Sequence, residues 1–401
     1  MDSSSLLKEY PLNPVVWDEM CVQNEVRAPY HKVYEFLKQI STEDLTRKEE
    51  MARRLFMNQG ITFTVYSSGE GIEKIFPFDV IPRIITAAEW DFIERGIKQR
   101  LKALNLFLKD IYHNQFILKD GVVPIEMIYS CPHFLREMHQ LNVPHDIYVH
   151  IAGIDIIRDA DGEFYVLEDN LRTPSGVSYM LENREITKRI FPDLLPQNNV
   201  RTVMQYPQLL YKNNPNGLLG VAGLMSAYRK GNVAIVNAPG NGVADDKAVY
   251  IHVPAMIKYY LNEEPILKNV PTYQLNNPDE QAYVFENMAR MVIKKTNESG
   301  GYGMLIGSAA TEKEMEDFKV AITANPREFI AQPIISLSSA PCYLNGKLQP
   351  RRIDLRPFAL CGPDGIEIVP GGLTRVALRE GSLVVNSSQG GGSKDTWILS
   401  K

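Results

Sequence analysis

Hydrophobic and polar residues alternate along this chain with two periods, and the switches between them outline its elements. From Ala87 to His113, Trp90, Ile93, Ile97, Leu101, Leu104 and Ile111 recur at helical spacing, which predicts one long helix with its apolar stripe in the core. Residues 1 to 60 read as mostly helical, with a charged amphipathic run from Thr42 to Gly60. Ile61-Thr-Phe-Thr-Val-Tyr alternates as a strand does. Further on, two β-branched-rich runs flank Asp161-Gly162 and predict a β-hairpin around a two-residue turn. Val177 to Lys188 returns to helix, and the apolar run Asn232 to Asn237 predicts a buried strand. Arg290 to Ile306 reads as strand, glycine loop, strand, and Glu328 to Pro333 as a short strand. Arg351 to Arg356 alternates basic and apolar residues, so Arg352, Asp354 and Arg356 share a face. Pro192, Pro196 and the run Asn213-Asn-Pro-Asn-Gly217 mark a boundary near 200 to 217.

The hairpin carries the densest chemistry. A two-residue turn sets Ile157 opposite Val166 and Asp155 opposite Glu168; Asn170 joins their face and Asp169 points the other way. Carboxylates opposed on one face repel unless a proton or a cation lies between them. Mg²⁺ fits, because it takes carboxylate and carbonyl oxygens and shares its shell with nucleotide phosphates. The plainer reading is a solvated polar hairpin tip. A loop of odd length would break the pairing.

Composition narrows the class. The 401 residues are 44% hydrophobic and 23% charged, as in an ordinary globular protein long enough for two or three domains. A net charge of −5 gives no sign of a nucleic-acid or anionic-membrane surface, so anionic substrates must be met by local clusters. Cys21, Cys131, Cys342 and Cys361 are scattered, which suits reduced thiols of a cytoplasmic protein. The first residues lack a basic segment followed by an apolar stretch, and no run of eighteen apolar residues appears, so neither secretion nor a membrane span is expected.

Candidate phosphate contacts lie in the second half. Lys247 follows the glycine-rich turn after Asn237 at the start of a helix. Lys294 and Lys295 precede Ser299-Gly300-Gly301-Tyr-Gly303, whose glycines would let backbone N–H groups approach a phosphate. Adjacent lysines on a strand face opposite ways, so one of the pair faces the ligand. The loop is not a Walker loop, lacking Gly-Lys-Ser/Thr, nor a dinucleotide fingerprint, lacking the following helix. A solvated lysine, a ligand-free hairpin and a salt-bridge ladder through Asp354 are the structural alternatives.

The order of these motifs resembles the ATP-grasp ligases. Asp155 with Glu168-x-Asn170 is similar to their metal strands, Lys294 before Ser299-Gly-Gly-Tyr-Gly303 to their phosphate loop, Gln332 to the adenine hinge, and Asp354-Leu-Arg356 to their Asp-x-Arg strand. Asp246-Lys247 resembles the start of the nucleotide-binding part, and Asn386 before Gly390-Gly-Gly the residues just upstream of the metal strands. In linear members such as glutathione synthetase the metal strands come last; here they come first. That order, with Glu168-Asp-Asn-Leu-Arg-Thr-Pro-Ser-Gly176 and Gln389-Gly-Gly-Gly-Ser-Lys-Asp-Thr-Trp397, resembles the circularly permuted, glutathionylspermidine-synthase-like branch over nearly the whole chain. Two departures stand out. Lys295 replaces a usual proline, and only a short connector between Tyr211 and Leu219 stands where such proteins carry an extra segment.

The resemblance implies an α+β, circularly permuted ATP-grasp fold with an N-terminal helical region. The expected parts are 1–140, helical and mixed; 141–200, the metal hairpin and its helix; 201–245, a remnant of the pre-grasp region; and 246–401, the nucleotide-binding part. It further implies an ATP- and Mg-dependent carboxylate–amine ligase working through an acyl phosphate on small-molecule or peptide substrates. Asp155, Glu168 and Asn170 would hold Mg²⁺. Lys247, Lys294, Ser299, Gly300, Gly301, Gly303 and Gln332 would hold ATP, Arg356 and Arg375 would act on the transferring phosphoryl group, and Arg172 and Ser175 would hold the substrate carboxylate. A phosphotransferase on the same scaffold and a non-catalytic nucleotide-binding partner protein are the rivals.

Overall fold

The structure, a computed structural model, describes residues 10–23, 25–67, 70–213, 227–228, 230, 232–233, 235–297, 303–385 and 391–401. It is an α+β protein in which two sheets of unequal size face each other across a cleft. Helices α1 (His31–Gln39) and α2 (Thr42–Asn58) lead into the hairpin β1 (Thr62–Ser67) and β2 (Glu70–Ile75), then β3 (Phe78–Ile85). Helix α3 (Ala87–Tyr112) follows, opened by a capping box of Thr86 and Glu89. Its predicted stripe is core throughout: Trp90, Ile93, Ile97, Leu101, Leu104 and Ile111 are fully buried.

The start of the chain corrects one expectation. The described residues among 10–30 are mostly turns and short bridges, and among the described residues the first α-helix begins at His31. Pro11, Pro14 and Pro29 oppose helix there, and the Asp18 carboxylate accepts from the N–H groups of Met20 and Cys21 at 2.9 and 2.8 Å, fixing a turn instead. Among the described residues, no helix is long and apolar enough to cross a membrane.

The large sheet is built on β4 (Ile151–Arg158) and β5 (Phe164–Asn170), followed in sequence by helix α4 (Val177–Ile190). After the short helix α5 (Lys247–Tyr250) and α6 (Val253–Leu261), the small sheet takes β6 (Tyr273–Gln274), β7 (Met291–Lys295), β8 (Leu305–Ile306) and, beyond α7 (Glu312–Ala324), β9 (Phe329–Pro333). Its order is β8-β7-β9-β6, all antiparallel, with a separate core of Met288, Met291, Ile293, Leu305 and Ile322. The chain then returns to the large sheet as β10 (Ser339–Leu344), β11 (Lys347–Arg356), β12 (Phe358–Gly362), β13 (Gly365–Ile368), β14 (Leu373–Val376) and β15 (Gly392–Ile398). The order there is β13-β12-β4-β11-β14-β15-β3. The last strand, β15, lies parallel to β3 from the N-terminal third, so the two distant parts of the chain share one sheet.

Two further expectations change. The hairpin turn is not two residues long: Arg158 pairs with Phe164, and the Asp159 carboxylate accepts from the N–H groups of Asp161 and Glu163 at 3.0 and 2.9 Å. Gly162 supplies the positive φ of 87° this loop needs. The loop is therefore odd, but a bulge between Asp155 and Ile156 shifts the register back, and Asp155 does oppose Glu168. The predicted strand at 232–237 is also absent among its described residues. Asn237 makes strand-like bonds with its side chain instead, accepting from His150 N and Ile151 N at 2.6 and 2.8 Å and donating to Ile151 O and Leu171 O at 2.8 and 2.5 Å.

Asp169, on the face away from the cleft, receives both Nε and Nη2 of Arg100 from α3 at 2.6 Å, and both side chains are buried. Removing only the arginine leaves a buried carboxylate uncompensated, which typically costs about 3–5 kcal/mol. Arg100→Leu should lower unfolding stability by that amount in urea titrations, and adding Asp169→Leu should recover much of it.

Candidate functional site

The cleft between the sheets encloses about 1020 Å³ of space, open to solvent. Its large-sheet wall carries Asp155, Glu168, Asp354 and Arg375; its small-sheet wall carries Lys294, Lys295 and Gln332; Lys247 lies at the start of α5. The other half is apolar, lined by Ile157, Val270, Val292, Ile306, Leu337 and Val385. A cleft charged at one end and greasy at the other suits a molecule with a flat ring and an anionic tail.

Asp155 is the centre of the charged end. It is 0% exposed, accepts from Nε and Nη2 of Arg356 at 2.5 and 2.8 Å, and accepts from Nη2 of Arg375 at 2.7 Å. Burial alone would raise its pKa, but the two guanidinium groups outweigh this and hold the carboxyl well below the usual carboxylate range. Arg375 also binds its cross-strand partner Asp354 through Nε at 2.9 and 3.1 Å. Arg356 crosses over Gly153, where an added Cβ would stand 3.0 Å from Arg356 Cδ, so the missing side chain opens its path to Asp155.

Glu168 sits opposite Asp155 with Oε2 3.8 Å from Lys247 Nζ. Asn170 lies opposite Gly153 on the same face, and its buried Nδ2 has no hydrogen-bond partner. Two acids and an amide fit Mg²⁺ when phosphate and water complete the shell. They are not a closed cage, and among the described residues no group of three or more His, Cys, Asp or Glu is placed to hold a metal alone.

Of the two lysines on β7, Lys294 donates to Gln332 Oε1 at 2.7 Å, and Gln332 in turn donates to Thr272 Oγ1 at 3.0 Å. Burial pushes the Lys294 ammonium down to about 8, against the partial opposition of Glu168. Both Lys294 and Lys295 border the cleft. Gly303 lies in a turn with φ of 64°, just before the cleft residue Met304. Ser299, Gly300, Gly301, Asn386 and Gly390 lie outside the described residues. Ser175 meets the site through its carbonyl, which accepts from Arg356 Nη1 at 3.3 Å. Arg172 is exposed and lies against the His133 ring, with Nη1 3.0 Å from Nε2.

The sequence did not point to the loop that fixes Arg172. Asp245 accepts from the N–H groups of Leu171 and Arg172 at 2.6 and 3.1 Å, and Asn241 donates to Leu171 O at 2.6 Å. Gly242 leaves room for the His133–Arg172 stack, since a Cβ there would meet His133 Cβ at 2.9 Å and Arg172 Cδ at 3.2 Å. The signal lies in the glycine- and asparagine-rich run after Asn237, whose predicted role is only to present Lys247.

A family model for circularly permuted ATP-grasp proteins, type 2, matches residues 82–213 and 211–377. The chain belongs to that family. An uncharacterised protein of Synechocystis sp. is 42% identical over 446 aligned residues, covering 91% of this chain and 93% of its own length. An uncharacterised protein of Mycobacterium leprae is 40% identical over 467, covering 96% and 82%. A Frankia casuarinae protein provisionally named glutamate–cysteine ligase 2-2 is 33% identical over 98% of this chain, which spans only 54% of it. The fold is also that of a glutathione synthetase-like effector from Globodera pallida, with a TM-score of 0.53 over 90% of this chain and 98% of that one at 10% identity. The aligned lengths exceed the 401 residues here, and the two matched stretches of this permuted ATP-grasp chain meet at 211–213, in the short connector.

The lowered Lys294 pKa has a stability consequence with a definite sign. The folded state disfavours its proton, so the penalty is full below about pH 8 and is relieved as pH rises toward the ordinary value of 10.5. Discounted for partial exposure and the lost bond to Gln332, Lys294→Met should stabilise the ligand-free protein by about 1–2 kcal/mol at pH 7. Denaturant titrations at pH 7 and near pH 9.5 should show that gain shrinking at the higher pH.

Proposed function

We propose that this protein is an ATP- and Mg-dependent ligase that activates a carboxylate as an acyl phosphate and joins it to an amine. The observation that carries the reading is the convergence of Asp155, Glu168, Lys247, Lys294, Gln332 and Arg375 on a single cleft whose other half is apolar. Family membership and the provisional ligase name of the Frankia relative support the same class.

The residues divide the work by charge. The apolar walls and Gln332 take the adenine, and Lys247 with Lys294 meets the phosphates, joined by the backbone of the loop that includes Ser299, Gly300, Gly301 and Gly303. Asp155, Glu168 and Asn170 would hold Mg²⁺, which when bound neutralises the phosphate oxygens. Arg172 and Ser175 hold the substrate carboxylate. One of its oxygens attacks the γ-phosphorus as the bond to the ADP oxygen breaks. The amine nitrogen then attacks the acyl carbon, phosphate leaves with its bridging oxygen, and the nitrogen gives up a proton. Arg356 and Arg375 face the charge that develops on the phosphoryl oxygens, a task of electrostatics more than of nucleophilic catalysis. The substrates are small-molecule or peptide carboxylates and amines. Four unbridged cysteines support a reducing compartment, the cytoplasm.

The shortened connector favours one second reading, a nucleotide-binding protein without turnover. Thermal shifts with ATP and Mg²⁺, separately and together, test both, because a ligand bound only to the native state must raise the melting temperature. A shift that needs both ligands and disappears in Glu168→Ala, while that variant keeps its fold by circular dichroism, is the expected result. ADP release that rises with carboxylate and amine pairs would establish the ligase; a shift without ADP release from any pair would favour the second reading. Wild-type ATP turnover in Glu168→Ala would remove Glu168 from the metal site.

A further inference from the structure

Behind the lysine wall of the cleft runs a chain of hydrogen bonds to which the nucleotide reading gives no role. Among the described residues Lys294 has a single hydrogen-bond acceptor, Gln332 Oε1, at 2.7 Å. Gln332 Nε2 donates on to Thr272 Oγ1 at 3.0 Å, and the Thr272 hydroxyl donates to the carbonyl of Val270 at 2.8 Å. Val270 in turn donates its N–H to Val166 O at 2.9 Å, on β5 and two residues before Glu168. The direction of each bond is forced from the two ends. An ammonium can only donate and a peptide carbonyl can only accept. Gln332 must therefore turn Oε1 to Lys294 and Nε2 to an acceptor, and Thr272, its own hydrogen committed to Val270, is that acceptor. The reversed amide would set an N–H₂ against the ammonium.

Gln332 is only 4% exposed, so without Thr272 its Nε2 would be left unmatched in the interior, the costly case. The place of Thr272 in the chain gives the relay its use. Lys268–Asn269 runs parallel to β5 in the large sheet, whereas Tyr273–Gln274 is β6, the edge strand of the small sheet, paired with β9. Thr272 stands where the chain crosses from one sheet to the other. Val270, Gln332 and Lys294 border the cleft, while Thr272 is not part of its lining. The relay is thus a hydrogen-bonded path from the strand of Glu168 to the amine of Lys294. A lysine side chain carries much rotamer freedom, and holding it before a ligand arrives removes that cost from binding.

We propose that Thr272 is a positioning residue: acting through Gln332, it holds the Lys294 ammonium at a fixed place in the cleft, referred to the strand of Glu168, before a phosphate arrives. The service to a phosphate rests on the nucleotide reading above; the hold on Lys294 does not. The single bond to Gln332 leaves the other N–H groups of the ammonium to the cleft.

Two measurements on the full chain test this. Brief acetylation of the ligand-free protein with acetic anhydride, read lysine by lysine by peptide mass spectrometry, reports how tightly each amine is held, and calorimetric titration with ATP and Mg²⁺ reports binding. Thr272→Val keeps the shape and removes the hydroxyl. It should raise the acetylation rate of Lys294 about threefold or more, leave that of Lys247 unchanged, and weaken ATP binding about three- to tenfold, the worth of one hydrogen bond. Thr272→Ser, which retains the hydroxyl, should behave as wild type in both. Should Thr272→Val fail to fold, Thr272→Ala removes the same group and carries the same expectations. Unchanged Lys294 acetylation in a folded variant without the hydroxyl overturns the relay, as does an equal rise at Lys247, the mark of general loosening. An effect in Thr272→Ser as large as that in Thr272→Val also overturns it. Raised Lys294 acetylation with unchanged ATP affinity overturns the role at the phosphates. No ATP binding by wild type, with the acetylation pattern as expected, sustains the hold on Lys294 and overturns the nucleotide reading instead.

Discussion

The structure turns on one buried carboxylate. Asp155 comes from β4, while its partners Arg356 and Arg375 come from β11 and β14, so three strands from distant parts of the chain are tied at a single group. A lone ion at that depth would be strongly disfavoured, and two guanidinium groups bonding it at 2.5 to 2.8 Å make it tenable. Three of the roughly four acceptor positions of Asp155 are occupied by arginine donors, leaving limited room for a metal beside the more loosely held Glu168.

Around that group the site is preorganised at a cost to stability. Lys294 is kept charged at neutral pH in a place that disfavours its proton, and Asn170 leaves a buried N–H₂ unmatched. Each is destabilising by itself. The opposite face of β5 behaves differently: Asp169 and Arg100 satisfy each other fully and anchor the hairpin to α3. One strand thus carries a structural ion pair on one side and unsatisfied chemistry on the other.

The same logic separates the arginines. Those paired with carboxylates hold the fold together, as Arg83 and Arg158 do by sharing Glu19 with both bonds at 2.7 Å. Arg351 and Arg352 are held instead by neutral oxygens. Permutation of the chain leaves this arrangement possible because β15 and β3, far apart in sequence, lie side by side.

The sequence by itself determined the long helix of α3, the hairpin strands, the lysine strand and the alternation on β11, because each rests on local periodicity or turn chemistry. It also placed Asp155 opposite Glu168, though through a turn of the wrong length: the odd loop and the bulge offset each other, and only the pairing of the finished strands decides where a bulge falls. Tertiary structure alone decided that Arg356 and Arg375 converge on Asp155, that Lys294 reaches Gln332, and that Asn237, Asn241 and Asp245 clamp the backbone before Arg172. Those contacts join residues tens to hundreds of positions apart. No periodicity encodes them, because they depend on which strands and loops, distant in sequence, come to lie side by side in the folded sheets.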